Sequence, residues 1–221
     1  MNTSSASAVL LDVDGTLVDS NYQHALAWYR ALLPFDVVVP VWQIHRQIGK
    51  GGDQLVEDLG GEALEREHGD AVRDAEGDRY AELIGEVRPL PHARDLLVAL
   101  KEQGTTVVLA SSCQEGDLDH YLELLDARDL VDAWTTSADV DATKPAPDLL
   151  EVALQRAGTR RAVMLGDATW DCRAAGNAGI EAVGLLTGGF SREELLDAGA
   201  REVHDELRTV IEGLPGSLAP E

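Results

Sequence analysis

The chain has 221 residues, enough for one core domain and a smaller lid or insertion. Its composition, 44% hydrophobic and 26% charged, is that of a soluble globular protein. Eighteen Lys and Arg stand against 40 Asp and Glu, a formal net charge of −22 that repels nucleic acid and anionic lipid, so neither is an expected partner.

In chain order, MNTSSASAV has neither a basic n-region nor an apolar h-region, and residues 1–7 read as a polar tail. No apolar run reaches the roughly 20 residues of a spanning helix. Cys113 and Cys172 show no CxxC or metal-ligand spacing, which fits two unpaired thiols in a reducing cytoplasm.

From Ala8 the run AVLL ends abruptly at DVDGT. A continuous apolar run of this length is the mark of a strand buried on both faces of a parallel sheet. Similar runs occupy residues 105–111, 162–165 and 181–186, and a weaker one surrounds Trp134. Helical patterns over 93–103, 148–157 and 171–178 precede or separate them, with Gly104, Gly158 and Gly179 where C-terminal caps belong. Such alternation predicts right-handed βαβ units in an α/β, doubly wound, Rossmann-like parallel sheet.

The alternation breaks once. Residues 20–86 read as helices at 22–33, 41–48, 54–59 and 63–84, with an ambiguous apolar stretch at 35–41, before Pro89 and Pro91 return the chain to the sheet. The expected organisation is therefore a core of 1–19 and 87–221 with an inserted helical cap at 20–86. The closing GLPGSLAPE reads as a loose tail.

Ligands in doubly wound sheets bind beyond the carboxyl ends of the strands. Asp12 and Asp14 follow the first strand, Ser111 and Ser112 the second, and Gly166 and Asp167 a third; Asp171 lies one turn further, and Lys144 sits in the loop KPAPD. Each alone has a plainer explanation: turn chemistry for the aspartates, a helix cap for Ser111, a solvated lysine, a first-turn Asp favoured by the helix dipole. Together they gather on one rim. Carboxylate oxygens suit a hard cation such as Mg²⁺, whereas zinc would want His or Cys.

These stretches resemble the haloacid dehalogenase superfamily: LLDVDGTLVDS is similar to its first motif, VVLASS to the second, KPAPD to the lysine motif and MLGDATWD to the fourth, in order across about 8–188. The insertion resembles the C1 cap of the phosphoglycolate phosphatase and β-phosphoglucomutase branch. The resemblance implies a phosphatase acting on a small phosphorylated metabolite, with Asp12 as nucleophile and Asp14 as general acid and then base. Ser111 and Lys144 would hold the phosphoryl group. Mg²⁺ would be bound by the Asp12 and Asp167 carboxylates and the Asp14 backbone carbonyl, with Asp171 outside or beside Lys144.

Superfamily dehalogenases and phosphonatases lack the second aspartate, so Asp14 argues against both. A mutase would need cap cations for a second phosphate. The loop QIGKGGDQL offers Lys50, with Gly52 near the place of the mutase Arg, and His45 and Arg46 just before it. His24 is equally well explained by a helix surface, and Lys50 and Gly51 by a plain glycine-rich loop. A non-catalytic binding module is disfavoured by retention of nucleophile, acid, lysine and metal carboxylate together. A monomer is the expected state.

Overall fold

The computed structural model describes residues 7–220. Its elements run β1 Ala8–Leu11, β2 Val18–Asp19, α1 Asn21–Leu32, α2 Val41–His45, α3 Gly52–Gly60, α4 Glu62–Ala81, β3 Arg88–Pro89, α5 Ala93–Glu102, β4 Thr106–Ala110, α6 Glu115–Leu124, β5 Ala133–Thr135, α7 Asp148–Ala157, β6 Ala162–Gly166, α8 Thr169–Ala178, β7 Glu181–Leu185, α9 Arg192–Asp197, β8 Ala200–His204 and α10 Leu207–Glu212. Six strands form one parallel sheet in the order β5-β4-β1-β6-β7-β8. The α/β class read from the sequence is the class observed.

The apolar runs behave as strands buried on both faces. Val9, Leu11, Val107, Leu109, Val163 and Leu165 join α5, α6 and α10 on one side. Leu10, Val108, Ala110, Ala162 and Met164 join α7 and α8 on the other. This is the period-two alternation of a pleated strand, with oil on both sides. Gly158 and Gly179 end α7 and α8 in the left-handed conformation, at φ of 68° and 72°, where a Cβ would be strained.

Register positions the site. Leu11 pairs with Leu109 on one side and Leu165 on the other, so the chain leaves all three strands at one level. β1 lies between β4 and β6, where the order of connection reverses; this is the switch point at which open α/β sheets bind ligands.

Between β2 and β3, which pair antiparallel, lie α1 to α4. They share their own apolar cluster, including Trp28, Leu32, Ile44, Leu55, Val56 and Val72. The ambiguous stretch at 35–41 is not a strand: a 3-10 turn at Leu33–Phe35 precedes irregular chain to Pro40. α2 stops at His45, three residues short of the expected end, and α8 begins at Thr169 rather than Asp171.

The C-terminal third carries the main corrections. β8, α9 and α10 were not anticipated. The expected loose tail is held down as far as Pro220: Gly216–Leu218 forms a 3-10 turn, Leu218 is buried, and Arg201 donates to the carbonyls of Ser217 (2.7 Å) and Ala219 (3.0 Å). A leucine to bury and a guanidinium to satisfy the carbonyls together overcome the cost of ordering the chain. Of the expected N-terminal tail, residues 1–6 lie outside the described residues, and Ser7 already accepts a bond from the Thr106 amide at 3.2 Å. Cys113 and Cys172 are free and buried. No helix among the described residues is long and apolar enough to cross a membrane.

Candidate active site

The turn after β1 builds the centre. Asp12 is nearly buried, its amide fixed to the Leu165 carbonyl at 3.0 Å. Its Oδ1 accepts from Lys144 Nζ at 2.6 Å, and its Oδ2 from Thr16 Oγ1 at 3.1 Å. Lys144 is wholly buried and also meets Asp171 Oδ1 at 2.7 Å. Asp171 Oδ2 accepts the Ala168 amide at the start of α8, where the dipole favours a carboxylate. Lys144 is thus clamped between two carboxylates, whose charges raise its pKa against the opposing effect of burial.

Asp167 completes the inner group. Its Oδ1 accepts from Thr16 at 3.2 Å and its Oδ2 from Asn21 Nδ2 at 2.8 Å. Two glycines leave it room: a Cβ on Gly15 or Gly188 would lie 2.1 Å from Asp167 Oδ2. Burial, against the pull of Lys144 and reinforced by Asp171 and Asp14, pushes Asp12 up to about 7. Asp167 is raised well above the carboxylate range by burial and the charges of Asp12 and Asp171. Oxygens of Asp12, Asp167 and Asp171 lie within 4.8 Å of one another. Buried carboxylates that repel each other and lack cations enough to balance them fit a hard divalent cation. Asp171 has one oxygen on Lys144 and the other on the Ala168 amide, whereas Asp12 Oδ2 and both Asp167 oxygens meet only the neutral donors Thr16 and Asn21.

Asp14 faces elsewhere. Its Oδ1 gathers Ser20 Oγ at 2.6 Å, Tyr121 Oη at 3.1 Å and His24 Nε2 at 3.3 Å, while Ser111 Oγ lies 3.5 Å from Oδ2. Burial would raise its pKa, but His24 and these hydrogen bonds outweigh burial and hold it below the usual value. His24 in turn also meets Glu76 Oε1 at 3.1 Å and stacks on Tyr80 at 3.7 Å between ring centroids. Burial opposes its charge, yet Asp14 and Glu76 carry its pKa up to about 10, so it is an imidazolium at neutral pH. Tyr80 and Tyr121 bond hydroxyl to hydroxyl, tying α4 to α6.

All six site residues expected from the sequence lie on this rim. Ser111 is turned inward, its Oγ accepting the Cys113 amide at 3.1 Å, whereas the buried Ser112 hydroxyl has no hydrogen-bond partner among the described residues and lines the cavity. Thr16, Ser20, Asn21, Glu76 and Tyr121 were not singled out, and His24 was left undecided. The signal for three of them was spacing: positions 20, 21 and 24 fall on one side of a helix start.

The basic residues of the 45–50 loop are engaged with other groups. His45 Nε2 is 2.8 Å from the Gly188 carbonyl; Arg46 pairs with Glu194 at 2.5 Å and lies over Phe190; Lys50 pairs with Asp58 at 2.5 Å and lies over Trp170. Next to it, Gly51 N–H donates to Thr143 Oγ1 at 2.9 Å, and Gln54 Nε2 reaches the Thr143 and Lys144 carbonyls at 2.8 and 3.1 Å. A Cβ on Gly51 would meet Thr143 Oγ1 at 2.4 Å, so glycine permits this approach.

A parallel α/β sheet thus gathers buried carboxylates and a buried lysine at its switch point, the place where such sheets bind ligands. Comparison with known proteins makes the class specific. The haloacid dehalogenase-like hydrolase model matches residues 6–179, and the chain belongs to that family. It is 29% identical over 215 residues to a phosphoglycolate phosphatase of Pseudomonas putida, covering 93% of this chain and 78% of the relative. It is 28% identical over 188 residues to the fructose-1-phosphate phosphatase YqaB of Escherichia coli, covering 79% and 94%. A hydrolase structure from Pseudomonas syringae superposes with a TM-score of 0.87 at 30% identity, covering 94% of this chain and 99% of that one.

Proposed function

We propose that this protein is a Mg²⁺-dependent phosphatase that hydrolyses a small phosphomonoester through an aspartyl-phosphate on Asp12. The observation that carries the reading is the Asp12–Lys144–Asp171 chain beside Asp167: a nucleophilic carboxylate oriented by a buried lysine, next to a second carboxylate free to hold a cation. The phosphatase names of the relatives above support it. Residues 20–86 form the cap, resting on the core of 1–19 and 87–221 through Gly51, Gln54 and Arg46.

Asp12, Asp167 and the Asp14 main-chain carbonyl would hold the metal, whose charge offsets the repulsion between a carboxylate nucleophile and a phosphate dianion. An Asp12 oxygen forms the bond to phosphorus as the bond to the leaving oxygen breaks. Lys144 on Oδ1 and Thr16 on Oδ2 fix the orientation of the Asp12 carboxylate. The Lys144 charge and the Ser112 hydroxyl would meet the phosphoryl oxygens, and Ser111, turned inward in the free protein, would join them by turning its hydroxyl away from Asp14. Asp14, which His24 and its hydrogen bonds hold ionised in the free protein, would take up a proton as the phosphate dianion settles beside it and pass that proton to the departing oxygen. It then takes one from the water that attacks phosphorus and frees Asp12. Its Oδ1 is occupied by Ser20, Tyr121 and His24, so Oδ2 is the oxygen that exchanges the proton.

With every basic residue of the 45–50 loop engaged, no cation there is left for a second phosphate, which favours hydrolysis over the mutase reaction. The test is p-nitrophenyl phosphate hydrolysis with Mg²⁺ by the wild type and by Asp12→Asn. The amide is isosteric but a poor nucleophile, and turnover should fall at least about a thousandfold with an unchanged circular dichroism spectrum. Turnover within tenfold of wild type would show that another residue is the nucleophile.

A further inference from the structure

Thr143, the residue before the buried lysine, is itself only 4% exposed, so its polar groups need partners within the protein. The start of α3 supplies them. The Thr143 amide donates to Asp53 Oδ2 at 3.1 Å, and its hydroxyl donates to Asp53 Oδ1 while accepting the Gly51 amide at 2.9 Å. Gln54 Nε2 donates to the Thr143 carbonyl at 2.8 Å and to the Lys144 carbonyl at 3.1 Å. The core holds this stretch more lightly, through the Ala146 amide on the Thr143 carbonyl at 3.0 Å and Asn177 Nδ2 on the Pro145 carbonyl at 2.9 Å. Among the described residues it gives no hydrogen bond to the Thr143 amide, the Thr143 hydroxyl or the Lys144 carbonyl.

Lys144 is therefore held at both ends by different parts of the chain. Its ammonium lies between Asp12 and Asp171, on the core, whereas its main chain is tied to α3, in the inserted helices. A phosphoryl group arriving at Asp12 gives the ammonium new oxygens to serve. The side chain is a flexible four-carbon stem, so where its head can reach is set by where its main chain is anchored. The anchor also stands in the wall of the site: Gly51, Asp53 and Thr143 line the cavity of about 270 Å³ that opens on Asp12 and Asp14.

Resting on the phosphatase reading above, we infer that Thr143, Asp53 and Gln54 are positioning residues, which bring Lys144 into register for phosphoryl transfer by fixing its main chain to the start of α3. They touch no reacting atom and act through the lysine. Arg46 supplies the contrast. It ties the same inserted helices to the core at Glu194 and Phe190, and has no contact with Thr143 or Lys144.

The test measures kcat and KM for p-nitrophenyl phosphate with Mg²⁺ in four variants, each checked by circular dichroism to be fully folded under the assay conditions. Thr143→Val keeps the shape of the side chain and removes the hydroxyl; Gln54→Met keeps the length and removes both donors. Each should lower kcat by at least about tenfold, because a displaced catalytic group is costly even when the shift is small. KM should stay within about threefold, the mark of an interaction that counts in the transition state. Thr143→Ser, which restores the hydroxyl, should recover most of the loss, and Arg46→Gln should leave kcat within about threefold of wild type. If Thr143→Val does not fold, Gln54→Met decides alone. The inference is overturned if the folded variants keep wild-type kcat, if only KM rises, if serine fails to rescue, or if Arg46→Gln is as damaging as Gln54→Met. In each of those cases wild-type hydrolysis leaves the phosphatase reading standing. If the wild type itself does not turn over p-nitrophenyl phosphate, that reading fails and takes the inference with it.

Discussion

Lys144→Met tests whether the site is held together by charge or by shape. Lys144 is wholly buried, 2.6 Å from Asp12 and 2.7 Å from Asp171, and these two carboxylates are themselves only 6% and 1% exposed. Methionine is unbranched and close in volume, so little cavity forms and the packing term is small. What is lost is the charge. Removing one partner of a buried ion pair costs about 3–5 kcal/mol, because the other is left without compensation. Against a total stability of about 5–15 kcal/mol, the variant should be folded but close to its limit.

Urea unfolding followed by circular dichroism at pH 7.5 in EDTA measures the loss. Adding Asp171→Asn to the variant removes one of the stranded charges and should recover about 1–3 kcal/mol, the coupling expected of groups in contact. Mg²⁺ should also narrow the gap, since an ion that binds only the folded chain stabilises it by mass action. A single variant within about 1 kcal/mol of wild type, or a double variant weaker than the single, would falsify the charge-clamp argument.

Three further outcomes follow from the geometry. Exhaustive EDTA treatment should abolish phosphatase activity and Mg²⁺ restore it; activity surviving chelation would contradict the metal reading of Asp12 and Asp167. Gly188→Ala should lower the apparent Mg²⁺ affinity by about 10–100-fold, read from the metal dependence of turnover, because its Cβ would lie 2.1 Å from Asp167 Oδ2 and 2.6 Å from the Asp167 carbonyl oxygen. Asp132→Asn should cost about 0.5–1 kcal/mol at pH 7 after allowance for solvent screening, and progressively less at a pH acid enough to protonate the folded carboxyl. Burial opposes the Asp132 charge, but Lys101 at 2.6 Å and the Val107 amide at 2.9 Å hold its folded pKa below the unfolded value; its contribution is therefore present above about pH 4 and disappears as pH falls through the folded pKa, a convergence visible in urea midpoints measured at both pH values.

The parts legible from the sequence were those whose environment leaves a one-dimensional trace. β1, β4, β6 and β7 are buried on both faces, so each is a plain apolar run, and the residues ending β1, β4 and β6 stand out as the first polar ones. β8 does not have that environment. At the sheet edge, AREVH buries Ala200 and Val203 and leaves Arg201, Glu202 and His204 partly exposed, and α9 and α10, with six residues each, are too short for a helical period to register. The same contrast divides the site. Asp12, Asp14, Ser111, Asp167 and Lys144 sit where the chain leaves a strand or turns in a loop. Asn21, His24, Glu76 and Tyr121 sit on helices, where a polar residue ordinarily faces water, and only their convergence across α1, α4 and α6 shows them turned inward.

That convergence explains how a chain of net charge −22 can face a phosphate dianion. With a divalent ion bound and all four site aspartates ionised, the ion, Lys144 and the His24 imidazolium would balance their charges. The cations cannot be spared to the bulk field. Lys144 is sealed from solvent between Asp12 and Asp171, and His24 is stacked on Tyr80, so salt screens neither as it would a surface lysine.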